Sequence, residues 1–206
     1  MTIEEYEDEL RPKLRWKSVS EIPNFPFASF SAVRQALASR EMSLGIDYTI
    51  ANLLAGSIYG VIWATVSGLA ASTPILLSIT LLAVAFFRGD YWILLGIPLA
   101  FFGQFSSNPY NRSRVGCAFV AVAIACVAGW LLFNHKATIG IALLAFPFTF
   151  VTNSLLYTVN QARLRNWATS SEVVFVGLFE EDKLGLLNLK SGTQFWFRDL
   201  QRIPSG

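Results

Sequence analysis

Few side chains in this sequence could perform covalent or acid–base chemistry, and those few are scattered along the chain. The single histidine, His135, cannot by itself supply a histidine metal cluster or a pair of haem ligands. Cys117 and Cys126 would point to opposite faces of one helix, so they cannot form a disulfide with each other. The sequence contains no glycine-rich phosphate loop, nucleophile elbow or HExxH motif. We therefore predict no catalytic residue, no metal ligand and no cofactor.

Two groups of charged residues need separate assessment as candidate functional sites. Glu180, Glu181 and Asp182 are adjacent acids in a predicted turn, whereas catalytic carboxylate pairs need burial and contrasting environments. Arg88 and Asp90 flank Gly89, and we interpret them as the polar tip of a hairpin at the membrane interface. If the neighbouring short helices re-enter the membrane, that pair becomes a functional candidate.

A polar stripe is the main candidate for binding a solute or a partner. Thr149, Asn153, Tyr157 and Asn160 recur at helical spacing, so they share one face of a predicted helix. The functional interpretation is the lining of a solute path or a docking stripe for a partner's helix. The alternative is a set of interhelical hydrogen bonds, each worth about 0.6 kcal/mol. We favour the hydrogen bonds, because no ionisable residue joins the stripe.

A ladder of small residues indicates close helix packing. Gly56, Gly60, Ala64 and Gly68 are spaced four apart, and such a face lets another backbone approach closely. We favour packing inside one bundle over a dimer interface.

The elements that hold these residues are predicted from composition. Of 206 residues, 53% are hydrophobic and 15% are charged, and the net charge of +2 is too small to indicate nucleic-acid binding. Between residues 50 and 162 the only formal charges are Arg88, Asp90, Arg112, Arg114 and Lys136. A soluble domain needs a wetted face on nearly every helix, whereas lipid can surround an apolar helix completely. The sequence therefore predicts an all-α integral membrane bundle with the lipid bilayer as its surroundings.

Five apolar segments are candidates for crossing the bilayer. Ile50–Ala71, Val115–Phe133 and Ala137–Thr158 are long enough to span about 30 Å of hydrocarbon, whereas Ile75–Phe87 and Tyr91–Phe105 are short. If Tyr91–Phe105 does not cross, there are four spans; if it does, there are five.

Basic residues help to choose between four and five spans, because they accumulate in cytoplasmic loops. Four spans place six Lys and Arg of the leader together with Arg88, Arg112, Arg114, Arg163 and Arg165 on one side, and leave Lys136 alone opposite. We therefore favour four spans in a bacterial inner membrane, with both chain ends in the cytoplasm.

Charge divides the chain into a polar leader over 1–46, a transmembrane region over 47–162 and a cytoplasmic tail over 163–206. In the leader we predict an amphipathic helix from Ser29 or Ser31 to about Leu44, ended by Gly45. The tail is predicted to form a small antiparallel sheet from three strands, Glu172–Leu178, Leu184–Leu189 and Gln194–Phe197.

Many packing faces without a reactive group favour action by binding. We predict an accessory, regulatory or protective subunit that docks on a larger membrane protein or associates with itself. The alternative is a small channel or transporter, which would use the stripe from Thr149 to Asn160.

Overall fold

The computed structural model describes residues 2–108 and 113–200, except the side chains at 48–50, 52–53 and 55–58. The chain forms two compact units. The terminal unit contains residues 1–63 and 159–206, and the central unit contains residues 64–158. Both units are largely helical, and the described strands belong to one sheet in the terminal unit.

The terminal unit is built from both ends of the chain. Its elements are α1 (Ile3–Leu10), α2 (Phe30–Ala38), β1 (Met42–Ile46), the first part of α3 (Tyr48–Ala71), the last part of α7 (Ala137–Ser170), α8 (Glu172–Glu180), β2 (Leu184–Asn188), β3 (Gln194–Phe195) and α9 (Phe197–Leu200). Short 3₁₀ turns cover Arg11–Lys13 and Val19–Glu21.

The sheet joins the leader to the tail. Strand β1 pairs antiparallel with β2, from Met42 opposite Asn188 to Ile46 opposite Leu184, and β2 pairs with β3. A Cβ atom on Gly185 would lie 2.7 Å from Trp196 Cδ2, so a residue without a side chain is required beneath this ring. The predicted antiparallel sheet is present, with two of its strands in the tail and one in the leader.

The predicted leader helix is wrong in its second half. It ends at Ala38, and the residues expected in its last turn form β1 instead. Arg40 adopts a left-handed conformation with φ of 58°, the Glu41 N–H donates to Ala36 O, and the Arg40 N–H donates to Leu37 O. This is a Schellman ending, which usually has glycine where Arg40 stands.

The predicted first strand of the tail is also wrong, since residues 172–180 form helix α8. The hydroxyl oxygen of Ser171 accepts the N–H of Val174 and so caps its start. Five apolar side chains of α8 are completely or almost completely buried, namely Val174, Phe175, Val176, Leu178 and Phe179. A helix covered on all sides has no polar face, and its β-branched and aromatic residues then resemble a buried strand. The other two predicted strands are present, although Phe197 begins a helix.

The central unit is a set of apolar helices. It contains the end of α3, then α4 (Thr73–Arg88), a 3₁₀ segment (Tyr91–Leu95) leading into α5 (Gly96–Ser106), α6 (Arg114–Phe133) and the start of α7.

The junction of α3 and α4 is a break with defined hydrogen bonds. The Tyr59–Ala71 helix and α4 are bent by 56°. Pro74 has no N–H to offer to the carbonyl of Ala70, and the hydroxyl of Thr73 donates to that oxygen at 2.7 Å instead. The side-chain amide of Gln104 donates to Ala71 O at 3.2 Å. Such replacement bonds allow a helix to break within lipid.

Helices α5 and α7 run parallel and approach each other closely at glycines. A Cβ atom on Gly96 would lie 3.2 Å from Ala142 Cα, and one on Gly103 would lie 2.5 Å from Phe146 O and 3.3 Å from Thr149 Cβ. The earlier glycine of α5 contacts the earlier part of α7 and the later glycine contacts a later part, so the two helices run in the same direction.

The tip between α4 and α5 lies at the N-terminal end of α7. The Thr138 hydroxyl donates to Asp90 Oδ2, so Arg88 and Lys136 flank the same end of the central unit. The expectation that Arg88 and Lys136 lie at opposite ends is therefore wrong. The sequence alone could not reveal that α5 packs beside α7 and runs in the same direction.

Among the described residues, two helices are long and apolar enough to cross a membrane, Arg114–Phe133 and Ala137–Ser170. A third crossing exists if Tyr59–Ala71 and α4 act as one broken span. Gly60, with φ of 85° and ψ of 168°, interrupts the continuous helix that was predicted over Ile50–Ala71. Tyr91–Ser106 is apolar but shorter.

Candidate functional site

The polar stripe of α7 is divided between the two units. Thr149 and Asn153 are fully buried in the central unit. The Asn153 amide donates to Thr149 O at 3.1 Å, but Asn153 Oδ1 and Thr149 Oγ1 have no hydrogen-bond partner among the described residues. Buried oxygens without a partner cost about 1–3 kcal/mol each, so this pair is energetically unusual.

Two serines of α5 extend this buried group. Since Gly103 lies against Thr149, one more turn of each parallel helix places Ser106 and Ser107 level with Asn153. Both serines are buried, and Ser106 Oγ also lacks a partner within residues 2–108 and 113–200. The sequence analysis missed these serines because they end an apolar run and precede a polar loop.

Tyr157 lies in a different environment. It lines a cleft of about 410 Å³ together with Phe101, Gln104, Phe105 and Asn108. The phenylalanines form an apolar wall, and the two amides and the phenol supply hydrogen-bonding groups. The cleft therefore suits an amphiphilic molecule better than a fully polar one.

Asn160 makes an interhelical hydrogen bond in the terminal unit. Its side chain is completely buried, and Asn160 Oδ1 accepts the indole N–H of Trp63 at 2.8 Å. This bond connects α3 with α7. The stripe thus contains different local environments, and its role in binding stays a prediction.

A cation surrounded by aromatic rings lies next to this bond. The Arg163 guanidinium is 4.0 Å from the centre of the Trp63 ring and 5.0 Å from that of Tyr59. The Tyr59 ring meets Trp167 edge-on at 5.5 Å, and Trp167 contacts Tyr6 at 5.9 Å. Cation–π contacts of this kind contribute about 0.5–2 kcal/mol. The cation–π contacts connect α7 with α3, and the ring contact between Trp167 and Tyr6 connects α7 with α1. From the sequence, Arg163 was used only to orient the chain in the membrane.

Tyr6 has an altered acidity in this cluster. Burial is the main reason that its pKa is raised to about 12, and the negative charges of Glu181 and Glu9 raise this pKa further.

The small-residue ladder is placed only in part. Gly56 lies outside the residues whose side chains are described, Gly60 forms the break in α3, and Ala64 is half-buried. No described atom lies within 4 Å of the position a Cβ would take on Gly60 or Gly68. The use of this ladder as a packing face therefore stays a prediction.

A second cleft lies at the tip of the α4–α5 hairpin. It has a volume of about 580 Å³ and is lined by Gly89, Asp90, Tyr91, Trp92, Leu94, Leu95 and Pro98. Asp90 Oδ1 accepts the backbone N–H of Trp92 at 3.3 Å, and Asp90 Oδ2 accepts the Thr138 hydroxyl. These two bonds fix the carboxylate in the cleft.

Among the described residues no three His, Cys, Asp or Glu side chains come together in a way that could hold a metal ion. His135 is exposed, and Glu180 accepts the backbone N–H groups of Arg15 and Trp16, which gives that acid a structural role. In comparisons with protein-family models, curated proteins and solved structures, nothing matches this chain.

Proposed function

We propose that this chain is an integral membrane protein that acts by binding, as an accessory, regulatory or protective subunit of a larger membrane partner. The observation that carries this proposal is the location of exposed apolar side chains. Among the side chains that the structure describes, the exposed large hydrophobic residues lie between 61 and 155, with Leu189 as the one exception. Exposing this much apolar surface to water is unfavourable by roughly 25 cal/mol per Å², whereas lipid imposes no such cost.

The lengths of the helices support four crossings. Tyr59–Ala71 is about 20 Å long and α4 about 24 Å, so with a bend of 56° they reach about 35 Å along the axis of α4. The 3₁₀ segment and α5 together extend about 27 Å. Helix α6 reaches about 30 Å and α7 about 51 Å. Each of these segments is close to or longer than the hydrocarbon thickness of about 30 Å.

This assignment also has four membrane crossings, but two of them differ from the crossings expected from the sequence. Segment Tyr59–Arg88 crosses once as a broken span, and Tyr91–Ser106 crosses back. Both chain ends then lie on one side with Arg114, Arg163 and Arg165, while Arg88 and Lys136 lie on the other. The excess of basic residues on the first side supports placing that side in the cytoplasm, and a bacterial inner membrane is part of the proposal.

Helix α6 supports the binding role. Only 11% of the most apolar stretch of α6 is buried inside the chain, compared with 50% of that of α7. Helices that stay within one bundle usually pack on several neighbours, so α6 has most of its surface free for lipid or for a partner's helix. Its exposed residues include Phe119, Val122 and Val127.

Single cysteines test the topology. In a Cys117→Ala/Cys126→Ala background, Arg88→Cys, Lys136→Cys and Lys190→Cys are labelled with a membrane-impermeant maleimide in intact and in lysed cells. We expect labelling of residues 88 and 136 in intact cells and of residue 190 only after lysis. Labelling of 88 and 136 from opposite sides contradicts the topology.

Site-specific photocrosslinking tests the binding role. A photoreactive residue at Val122 should give one discrete, stoichiometric adduct with a membrane protein in native membranes. The same residue at Leu186, which is buried in the terminal unit, is the matched control and should give none. Adducts with lipid alone at Val122, Phe119 and Val127 would contradict a partner on α6.

The alternative function is a small channel or transporter, and a specific observation favours it. Oxygens of Ser106, Thr149 and Asn153 are buried in the central unit without a partner among the described residues, and a passing polar solute could bind them. Purified protein in liposomes should then conduct a small solute, and Asn153→Leu should abolish that flux. Equal flux in both proteins, or no flux above empty liposomes, removes this alternative.

A further inference from the structure

The cleft at the α4–α5 tip contains a carboxylate without a positive partner. Within the described residues Asp90 has two hydrogen bonds, from Trp92 N and from Thr138 Oγ1, and no ion pair within 4.0 Å. Arg88 and Lys136 are close in sequence to this tip, but both side chains are exposed and neither pairs with Asp90. Each carboxylate oxygen has a second acceptor site, so the charge can still attract a cation.

Aromatic and apolar groups form the rest of the cleft. Tyr91 is 67% exposed and Trp92 is 68% exposed, although both line the cleft. Leu94, Leu95 and Pro98 complete an apolar wall. Aromatic rings attract cations through their electron-rich faces, and this attraction does not require hydrogen bonds from the ligand.

This combination selects one class of ligand. An anion would be repelled by Asp90. A calcium ion takes six to eight oxygen ligands, and a cleft with one carboxylate side chain supplies too few of them. A quaternary ammonium group carries a positive charge inside a shell of methyl groups, so it matches the carboxylate and the aromatic and apolar wall together.

We propose that the cleft lined by Asp90, Tyr91 and Trp92 binds a quaternary ammonium group, as found in choline and in choline-containing lipid headgroups. The Thr138 hydroxyl and the Trp92 N–H hold the carboxylate in place, and the two rings cover the methyl groups. The cleft lies entirely within the central unit, so ligand binding there does not require the chain to dock on a partner.

The first experiment compares two ligands of the same shape. The full chain is purified in a maltoside detergent, and the binding of choline and of 3,3-dimethylbutan-1-ol, its uncharged analogue, is measured by calorimetry. We expect choline to bind at least tenfold more tightly than the alcohol. Equal binding of the two molecules, or no binding of choline, overturns the proposal without any variant having to fold.

Variants then assign the charge and the rings. Asp90→Asn should lower choline affinity at least tenfold, to the level of the alcohol, and Trp92→Leu should lower it severalfold. Asp8→Asn makes the same change of charge at an exposed position of α1, and it should leave the affinity unchanged. If Asp90→Asn binds choline as tightly as the wild type, the carboxylate is not the site.

Nanodiscs distinguish a lipid headgroup from a free ligand. If the natural ligand is the headgroup, nanodiscs of phosphatidylcholine should block added choline, whereas nanodiscs of phosphatidylglycerol should not. If it is a free ammonium compound, choline should bind equally in both. Either result supports the site, and loss of binding in both overturns it.

Discussion

The terminal and central units contain the same kinds of large apolar side chains, but the central unit exposes many more of them. In the terminal unit, Phe175 and Phe179 are completely buried. In the central unit, Phe86, Phe87 and Phe133 are 79–85% exposed. Buried polar side chains occur in both units, with Ser106, Thr149 and Asn153 in the central unit and Asn160 in the terminal unit. Residue type alone therefore does not decide burial, and the proposed membrane location would explain why the central unit exposes so many apolar side chains.

The largest expected effect comes from removing a phenyl ring from the core of the terminal unit, and removal of an exposed ring from the central unit is the comparison. Phe175→Ala should reduce the free energy of unfolding by about 3–5 kcal/mol, because it leaves a cavity in the core of the terminal unit. Phe87→Ala, at a side chain that is 84% exposed, should change it by about 0.5 kcal/mol or less. Denaturant unfolding in detergent measures both. Equal losses would break the comparison and show that Phe87 is packed.

Glycine substitutions should sharpen the comparison inside the central unit. Gly103→Ala places a Cβ atom 2.5 Å from Phe146 O and should cost about 1–3 kcal/mol. Gly68→Ala meets no atom within 4 Å and should be neutral or stabilising by up to about 1 kcal/mol. Thermal unfolding in detergent compares the two. A large loss at Gly68 would indicate that a partner covers this face.

Two arginines on one helix test the terminal unit. Arg163→Gln removes the cation between Tyr59 and Trp63 and should reduce stability by about 0.5–2 kcal/mol. Arg165→Gln, at an exposed position two residues later, should have almost no effect. Equal effects of the two substitutions would mean that the stacking is energetically unimportant.

The last effect is expected only at alkaline pH. The Tyr6 pKa is raised from 10.0 to about 12 in the folded protein, so the unfolded chain ionises first as the pH increases. The stabilisation is fully present below pH 10 and is lost as the pH rises through about 12. Tyr6→Phe should flatten the stability profile over that range, as measured by denaturant unfolding at several pH values. An unchanged profile would show that Tyr6 ionises normally.

Much of the central unit could be predicted from the sequence, and less of the terminal unit. The long apolar runs of α6 and α7 are visible without tertiary information, because length and apolar composition can be read directly from the residue types. Helix α8 was taken for a strand because complete burial removes the helical period. The end of α2 depends on a left-handed Arg40, which has no sequence signal as clear as glycine.

The candidate sites needed tertiary contacts. Ser106 and Ser107 join Thr149 and Asn153 only because α5 and α7 run parallel in one register. The hydroxyl that donates to Asp90 Oδ2 belongs to Thr138 of α7, which is almost fifty residues away in the sequence. Neither relation could be predicted from spacing along the chain.

The pairing of β1 with β2 has a consequence for synthesis. Met42–Ile46 must find Leu184–Asn188, which leaves the ribosome about 140 residues later. At about 5–20 residues per second, the leader waits roughly 7–28 seconds for its partner strand. During that interval the intervening helices can enter the bilayer while β1 keeps an open edge, to which a chaperone or another nascent chain could add a strand.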